Sequence, residues 1–152
     1  MEYSRSLSRL QRLCSKAEYC RADIYRKALK DLDGDALEAA RLVEELVRDR
    51  YVDDSRYASA FAREKASIQG WGPVKIRFQL RAKGVSEADI SAALEEIDPA
   101  AADTRLEHLL SAKARTLQGD PEIRLKLLKF GLSRGYDYSK LERALANIIN
   151  KR

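Results

Sequence analysis

The sequence is short of the residues that most often carry chemistry. Its 152 residues include one histidine, two cysteines, one methionine, one tryptophan and three prolines. Cys14 and Cys20 stand six apart with no further cysteine to join. That spacing is neither a zinc site nor a disulfide framework, and it leads us to expect a reduced, cytoplasmic protein. The lone His108 lies on a helical stretch otherwise lined by Leu106, Leu109 and Leu110, where it reads as a partly exposed structural residue. No Ser-x-Gly elbow, Cys/His pairing, HExxH run or phosphate-binding loop occurs. We therefore expect no catalytic residue, no metal and no cofactor. Apolar runs stay below the roughly 18 residues of a membrane span. The first residues, "MEYSRSLSRLQRL", are charged and periodic and do not read as a secretory leader.

Charge is abundant, at 35% of residues with a net of +5, and it is unevenly spread. Residues 1–30 hold eight Lys/Arg against three Asp/Glu, and residues 31–54 hold three against nine. Residues 69–84 hold four basic residues and no acidic one, and residues 85–107 hold one against seven. Alternating blocks suit either solvated helix faces or a partner with a strong or alternating field.

Strand patterns are nearly absent. Apolar residues recur at steps of three and four, as in Leu42, Leu46; Ile76, Leu80; Ile90, Leu94, Ile97; and Leu141, Leu145, Ile148. This predicts an all-α fold of about nine helices, near 4–19, 22–31, 36–50, 54–68, 73–83, 87–97, 101–116, 121–133 and 138–150. Pro73 and Pro121 are assigned to first helical turns, where a missing N–H costs nothing.

The helices form three similar groups. Residues 72–97 align without a gap on 21–46: Tyr25 meets Ile76, Leu29 meets Leu80, Ala39 meets Ile90 and Val43 meets Leu94. In a third copy Gly135 matches Gly84, and Leu141, Leu145 and Ile148 match Ile90, Leu94 and Ile97. The helix starts repeat too. Val52-Asp53…Tyr57, Val85-Ser86…Ile90 and Tyr136-Asp137…Leu141 each place an apolar residue before a polar cap and another at N4, a hydrophobic staple. Gly84 and Gly135 suit left-handed helix closures. Three triplets follow, at 1–50, 51–98 and 99–152. A group this small is marginal alone, so we expect an elongated, curved array whose neighbours share a core.

Two basic clusters are candidate partner-binding surfaces. One is the helix carrying Lys75, Arg77, Arg81 and Lys83. The other gathers Lys113, Arg115, Arg124, Lys126, Lys129 and Arg134. Either could grip phosphates or acidic side chains. The acidic blocks between them argue against a polyanion laid along the whole molecule. Trp71, between two glycines in "QGWGP", has two readings: a plug over the central triplet, or an exposed interface anchor.

Residues 50–98 closely resemble the central block of RecX regulatory proteins. The first run of that pattern is Tyr51, Val52, Asp53, Asp54, Arg56, Tyr57, Ala58. The second is Gly70, Gly72, Pro73, Lys75, Ile76, Gln79, Leu80, Arg81, Lys83, Gly84. Departures are Trp71 between the glycines, Tyr136 where Phe is common, and Asp33 at the position of Gly84. The resemblance implies three tandem three-helix repeats and a cytoplasmic, monomeric modulator of the recombinase RecA. Such a protein would sit in the groove of the RecA–single-stranded-DNA filament and block its growth or promote its disassembly, with at most weak binding to single-stranded DNA itself. The competing reading is a stand-alone nucleic-acid-binding regulator on helical triplets.

Overall fold

The computed structural model describes residues 1–150; the last two residues of the expected 99–152 triplet lie outside that range. The described residues form nine α-helices and no strand. They are α1 (Tyr3–Lys16), α2 (Arg21–Asp31), α3 (Ala36–Arg48), α4 (Asp54–Ser67), α5 (Pro73–Ala82), α6 (Glu87–Glu95), α7 (Pro99–Thr116), α8 (Ile123–Ser133) and α9 (Tyr138–Asn150).

The internal repeat is written into the backbone. At the close of α2, the N–H of Gly34 donates to Leu29 O at 2.8 Å and that of Asp33 to Lys30 O at 3.4 Å. Fifty-one residues later Val85 donates to Leu80 O at 3.1 Å and Gly84 to Arg81 O at 2.9 Å. After the same interval again, Tyr136 donates to Gly131 O at 3.2 Å and Gly135 to Leu132 O at 3.0 Å. The residues at the turn are left-handed in all three: Asp33 at φ 55°, Gly84 at 77° and Gly135 at 92°. Asp33, the mismatch in the sequence alignment, keeps the conformation because Asp tolerates this region better than most side chains.

The following helix starts agree. Asp53 Oδ1 accepts from the Arg56 N–H at 3.1 Å, Ser86 Oγ from Asp89 at 3.2 Å, and Asp137 Oδ1 from Lys140 at 2.9 Å. Each satisfies an orphan donor of the first turn and contributes about 1 kcal/mol. The staple residues Val52, Val85 and Tyr136 are buried, as are Ile90 and Leu141.

Of the boundaries that differ from the sequence expectation, three have a clear local cause. Helix α1 ends at Lys16 and not near 19, because Ala17 turns to extended backbone. Pro121 is not in a first helical turn. It occupies the second position of a turn in which the Ile123 N–H donates to Asp120 O at 3.2 Å, a standard place for proline. Pro99, not assigned from sequence, opens α7, with Asp98 capping the Ala100 N–H at 3.3 Å.

Packing divides the chain into two compact units, Met1–Ala60 with Leu80–Ala92, and Phe61–Gln79 with the chain from Ala93 on. The core of the first is built on Leu10, Ile24, Leu42, Val43, Leu46 and Val52. That of the second includes Leu106, Leu110, Leu127, Tyr136, Leu141 and Leu145.

The first unit also carries two carboxylates held below their ordinary pKa. Burial pushes Asp31 up, but hydrogen bonds from Ser6 and Arg9, with the Arg9 charge, bring it net lower. Asp23 behaves alike under burial, Lys83 and Cys20. Asp54 runs the other way, raised by burial although the Arg21 N–H donates to it at 2.8 Å. A lowered folded pKa contributes stability above the unfolded value, and that contribution is lost as pH falls through the folded one. Wild-type protein is therefore expected to lose stability below about pH 4, the ordinary Asp range. Asp31→Asn is expected to cost about 1–2 kcal/mol at pH 7 and to flatten the acid limb. Urea midpoints from pH 7 to pH 3, read by circular dichroism, check both; an acid limb of unchanged slope in the variant would count against the Asp31 assignment.

Candidate functional site: the Trp-Gly-Pro corner

The corner between α4 and α5 is set by glycine. Gly70 has φ 70°, which suits a residue without Cβ. Gly72 answers a different demand. A Cβ there would stand 2.4 Å from Gly135 O, and one on Gly135 would stand 2.3 Å from the Lys75 Cβ. The two bare backbones dock: Gly72 donates to Arg134 O at 2.7 Å and Val74 to Gly135 O at 2.9 Å. The buried Tyr136 hydroxyl donates to Gly70 O at 3.0 Å. Sequence reasoning assigned Gly135 to closing α8, which it does. It did not reveal that Gly72 approaches Gly135, 63 residues away in sequence.

Trp71 is half-buried: part of its ring packs against the protein and part meets water. Its ring meets Phe61 edge-on, with centroids 6.2 Å apart. Lys65 Nζ stands 4.9 Å and Lys75 Nζ 4.3 Å from the indole centroid. Two ammonium groups on one indole are held by cation–π attraction, each worth about 0.5–1 kcal/mol where water reaches it. A second ring does the same nearby in the chain's fold: Lys113 Nζ lies 5.3 Å and the Arg134 guanidinium 5.0 Å from Phe130. Beneath the corner, a cavity of about 160 Å³ is lined mainly by apolar groups, among them Trp71, Pro73, Ile76, Ile97 and Tyr136.

The ten partner-binding candidates separate into kinds. Arg81 is held by Glu87 in a two-pronged pair, both contacts 2.9 Å, and Lys83 by Asp23 at 3.1 Å. Arg124 pairs with Glu142 and Lys126 with Asp120, each at 2.5 Å. These four cations already have carboxylates, which blunts their pull on a distant anion. Arg77 sits half-buried on α5, and Arg115 and Lys129 are exposed. Lys75, on Trp71, and Lys113, on Phe130, present charge supported by a ring instead of neutralised by an acid. The structure thus brings Trp71, Lys75 and, through Arg134, the Phe130 cluster to the Gly72–Gly135 dock, and it draws Arg81 and Lys83 into the first unit's ion pairs. Lys65 was missed from sequence; six residues before Trp71, in a mixed-charge helix, nothing singled it out.

Comparison with known proteins decides the family. A family model described as RecX, second three-helix domain, matches residues 53–94, from the Asp53 cap to Leu94. The regulatory protein RecX of Haemophilus ducreyi is 34% identical over 127 residues, covering 82% of this chain and 80% of its own length. The chain belongs to the RecX family. The RecX of Chromohalobacter salexigens is 33% identical over 138 residues, 90% of this chain and 88% of that relative. A crystal structure of a regulatory protein RecX superposes with a TM-score of 0.85 at 25% identity, over 95% of this chain and 71% of that one. The all-α arrangement of three-helix repeats read from sequence is therefore the RecX fold. No helix among the described residues is long and apolar enough to cross a membrane.

Proposed function

We propose that this RecX-family protein restrains a RecA recombinase filament, binding to the filament on single-stranded DNA and blocking growth or promoting disassembly. In this reading the triplets 1–50, 51–98 and 99–152 engage neighbouring protomers, and the protein acts as a monomer in the cytoplasm. The observation that carries it is the Gly72–Gly135 dock, which holds ring-supported cations from the second and third triplets at one place. Lys65, Lys75, Lys113 and Arg134 meet no carboxylate there among the described residues. A positively charged platform of this kind suits an acidic surface.

Binding alone does not inhibit. A ligand that bound the ordinary filament would stabilise it by mass action. Restraint requires tighter binding to a distorted or terminal protomer than to the regular lattice, by about 1.4 kcal/mol for each tenfold effect. The Gly72–Gly135 dock, which ties residues of two triplets together by backbone hydrogen bonds, is the feature that would favour one protomer arrangement over another.

The test is RecA ATPase on single-stranded DNA with this protein added well below the RecA concentration. A loss of activity larger than the molar ratio is expected, because one bound molecule stops many protomers. Loss in strict proportion would indicate capture of free subunits and would count against the filament reading. Titration with single-stranded DNA alone separates the stand-alone DNA-binding alternative, which requires tight binding with a steep salt slope.

A further inference from the structure

Helices α5 and α8 expose apolar side chains where soluble proteins usually place polar ones. Val74 is 55% and Phe78 69% exposed on α5; Leu125 is 47% and Leu132 46% exposed on α8. Val74 and Leu125 are fifty-one residues apart, the interval that relates the triplets, so they are equivalent positions. In the first triplet the residues matching Val74 and Phe78 are Asp23 and Lys27. Asp23 there is tied to Lys83, and Lys27 lies over the Tyr19 ring. In the third triplet Leu125 matches Val74 but Lys129 matches Phe78, so the exposed apolar pair is peculiar to the second triplet and is no requirement of the fold.

Val74 and Phe78 are four apart on a helix and so lie one above the other on one face. That is the spacing at which an amphipathic helix presents its own anchors. The Gly72–Gly135 dock brings in the end of α8: Val74 donates its N–H to Gly135 O, and Leu132 lies one turn earlier. Along α5 the charge has one sign. Lys75 stands on Trp71 and Arg134 on Phe130, and α5 has no acidic residue at all. An exposed phenyl ring beside aliphatic groups and unneutralised cations matches a surface with apolar anchors flanked by carboxylates.

We propose that the face of α5 bearing Val74 and Phe78, with Leu132 beside it, is a docking surface for an acidic amphipathic helix of the partner filament's protein. This rests on the function proposed above and adds to it which face engages protein and what that protein segment must look like. The partner helix sets apolar side chains at i and i+4 over Phe78 and Val74, and its flanking carboxylates reach Lys75 and Arg134. A nucleic acid would use the same cations but would gain little from Val74 or Leu132; it would depend on Phe78 as an aromatic face for a base.

Two substitutions separate these cases. Phe78→Leu keeps an apolar anchor and removes the ring, whereas Phe78→Asp removes both and adds repulsion of carboxylates. The Phe78 side chain is 69% exposed, so the thermal midpoints of both variants are expected to stay near wild type. The measurement is the protein concentration that halves RecA ATPase on single-stranded DNA. We expect Phe78→Leu to stay within about threefold of wild type and Phe78→Asp to need at least about tenfold more, a difference of about 1.4 kcal/mol. If Phe78→Asp inhibits like wild type, this face does not dock and the proposal falls while the broader function stands. If Phe78→Leu is as defective as Phe78→Asp, the ring stacks on a base and the acidic helix is wrong. If wild type itself leaves RecA untouched, the proposed function fails and takes this surface with it.

Discussion

Gly135→Ala is expected to unfold the second unit at markedly lower denaturant than wild type, with a loss of about 3–5 kcal/mol. Two independent costs meet at this residue. Its φ of 92° lies where L side chains rarely go, and strain of this kind costs about 1–3 kcal/mol. The new Cβ would also fall 2.3 Å from Lys75 Cβ and 2.6 Å from the Lys75 nitrogen. Helix backbone cannot step aside as a flexible side-chain end can, so overpacking adds about 1–3 kcal/mol. Relief comes from opening the dock, at the loss of the hydrogen bonds from Gly72 and Val74. The single Trp71 sits on that dock, so its fluorescence during urea unfolding reports the right place. Gly84→Ala is the internal control: φ is 77°, but the nearest atom is Ala22 Cβ at 3.9 Å. It is expected to show the strain cost alone. Equal midpoints for the two variants would mean that the Gly72–Gly135 contact contributes nothing to stability.

Trp71→Ala is expected to cost about 2–3 kcal/mol, less than the 3–5 kcal/mol of a fully buried aromatic, because part of the ring already meets water. The loss has three sources: the edge-on contact with Phe61, the apolar wall of the cavity beneath the corner, and the support of Lys65 and Lys75. Freed from the indole, the two ammonium groups repel each other and lose their fixed positions. Filament inhibition is therefore expected to weaken beyond what stability explains, even in conditions where the variant is fully folded. Trp71→Phe keeps a ring and should restore much of both. Chemical denaturation followed by circular dichroism, alongside the RecA ATPase assay, checks the pair. A midpoint close to wild type for Trp71→Ala would mean that the ring packs against little.

Much of the fold was legible because it is local and repeated. Helix positions follow from apolar residues at steps of three and four, and a cap needs only its own next three residues. Asp53, Ser86 and Asp137 were found as caps for that reason, and their staple partners with them. The boundaries that differed turned on single backbone choices. Asp98 could cap a helix beginning at Pro99, by accepting from the Ala100 N–H, or continue a loop, and Pro121 could open a helix or fill a turn; composition does not choose between these.

The candidate site was legible only in part. Sequence singled out Trp71 and the basic residues of α5 and α8, since clustered charge beside a rare aromatic can be seen in one dimension. It treated those cations as alike. Whether a cation is neutralised depends on what lies across from it, and the pairs Lys83 with Asp23 and Arg124 with Glu142 join residues 60 and 18 apart. The sequence by itself determined nine helices in three related triplets, because helix formation, capping and closure are governed by neighbours within a few residues. Only the tertiary structure decided that Gly72 meets Gly135, that Arg81 and Lys83 are tied down, and that Lys65, Lys75, Lys113 and Arg134 stand on rings. Those outcomes depend on distances between segments far apart in the chain, which no local pattern records.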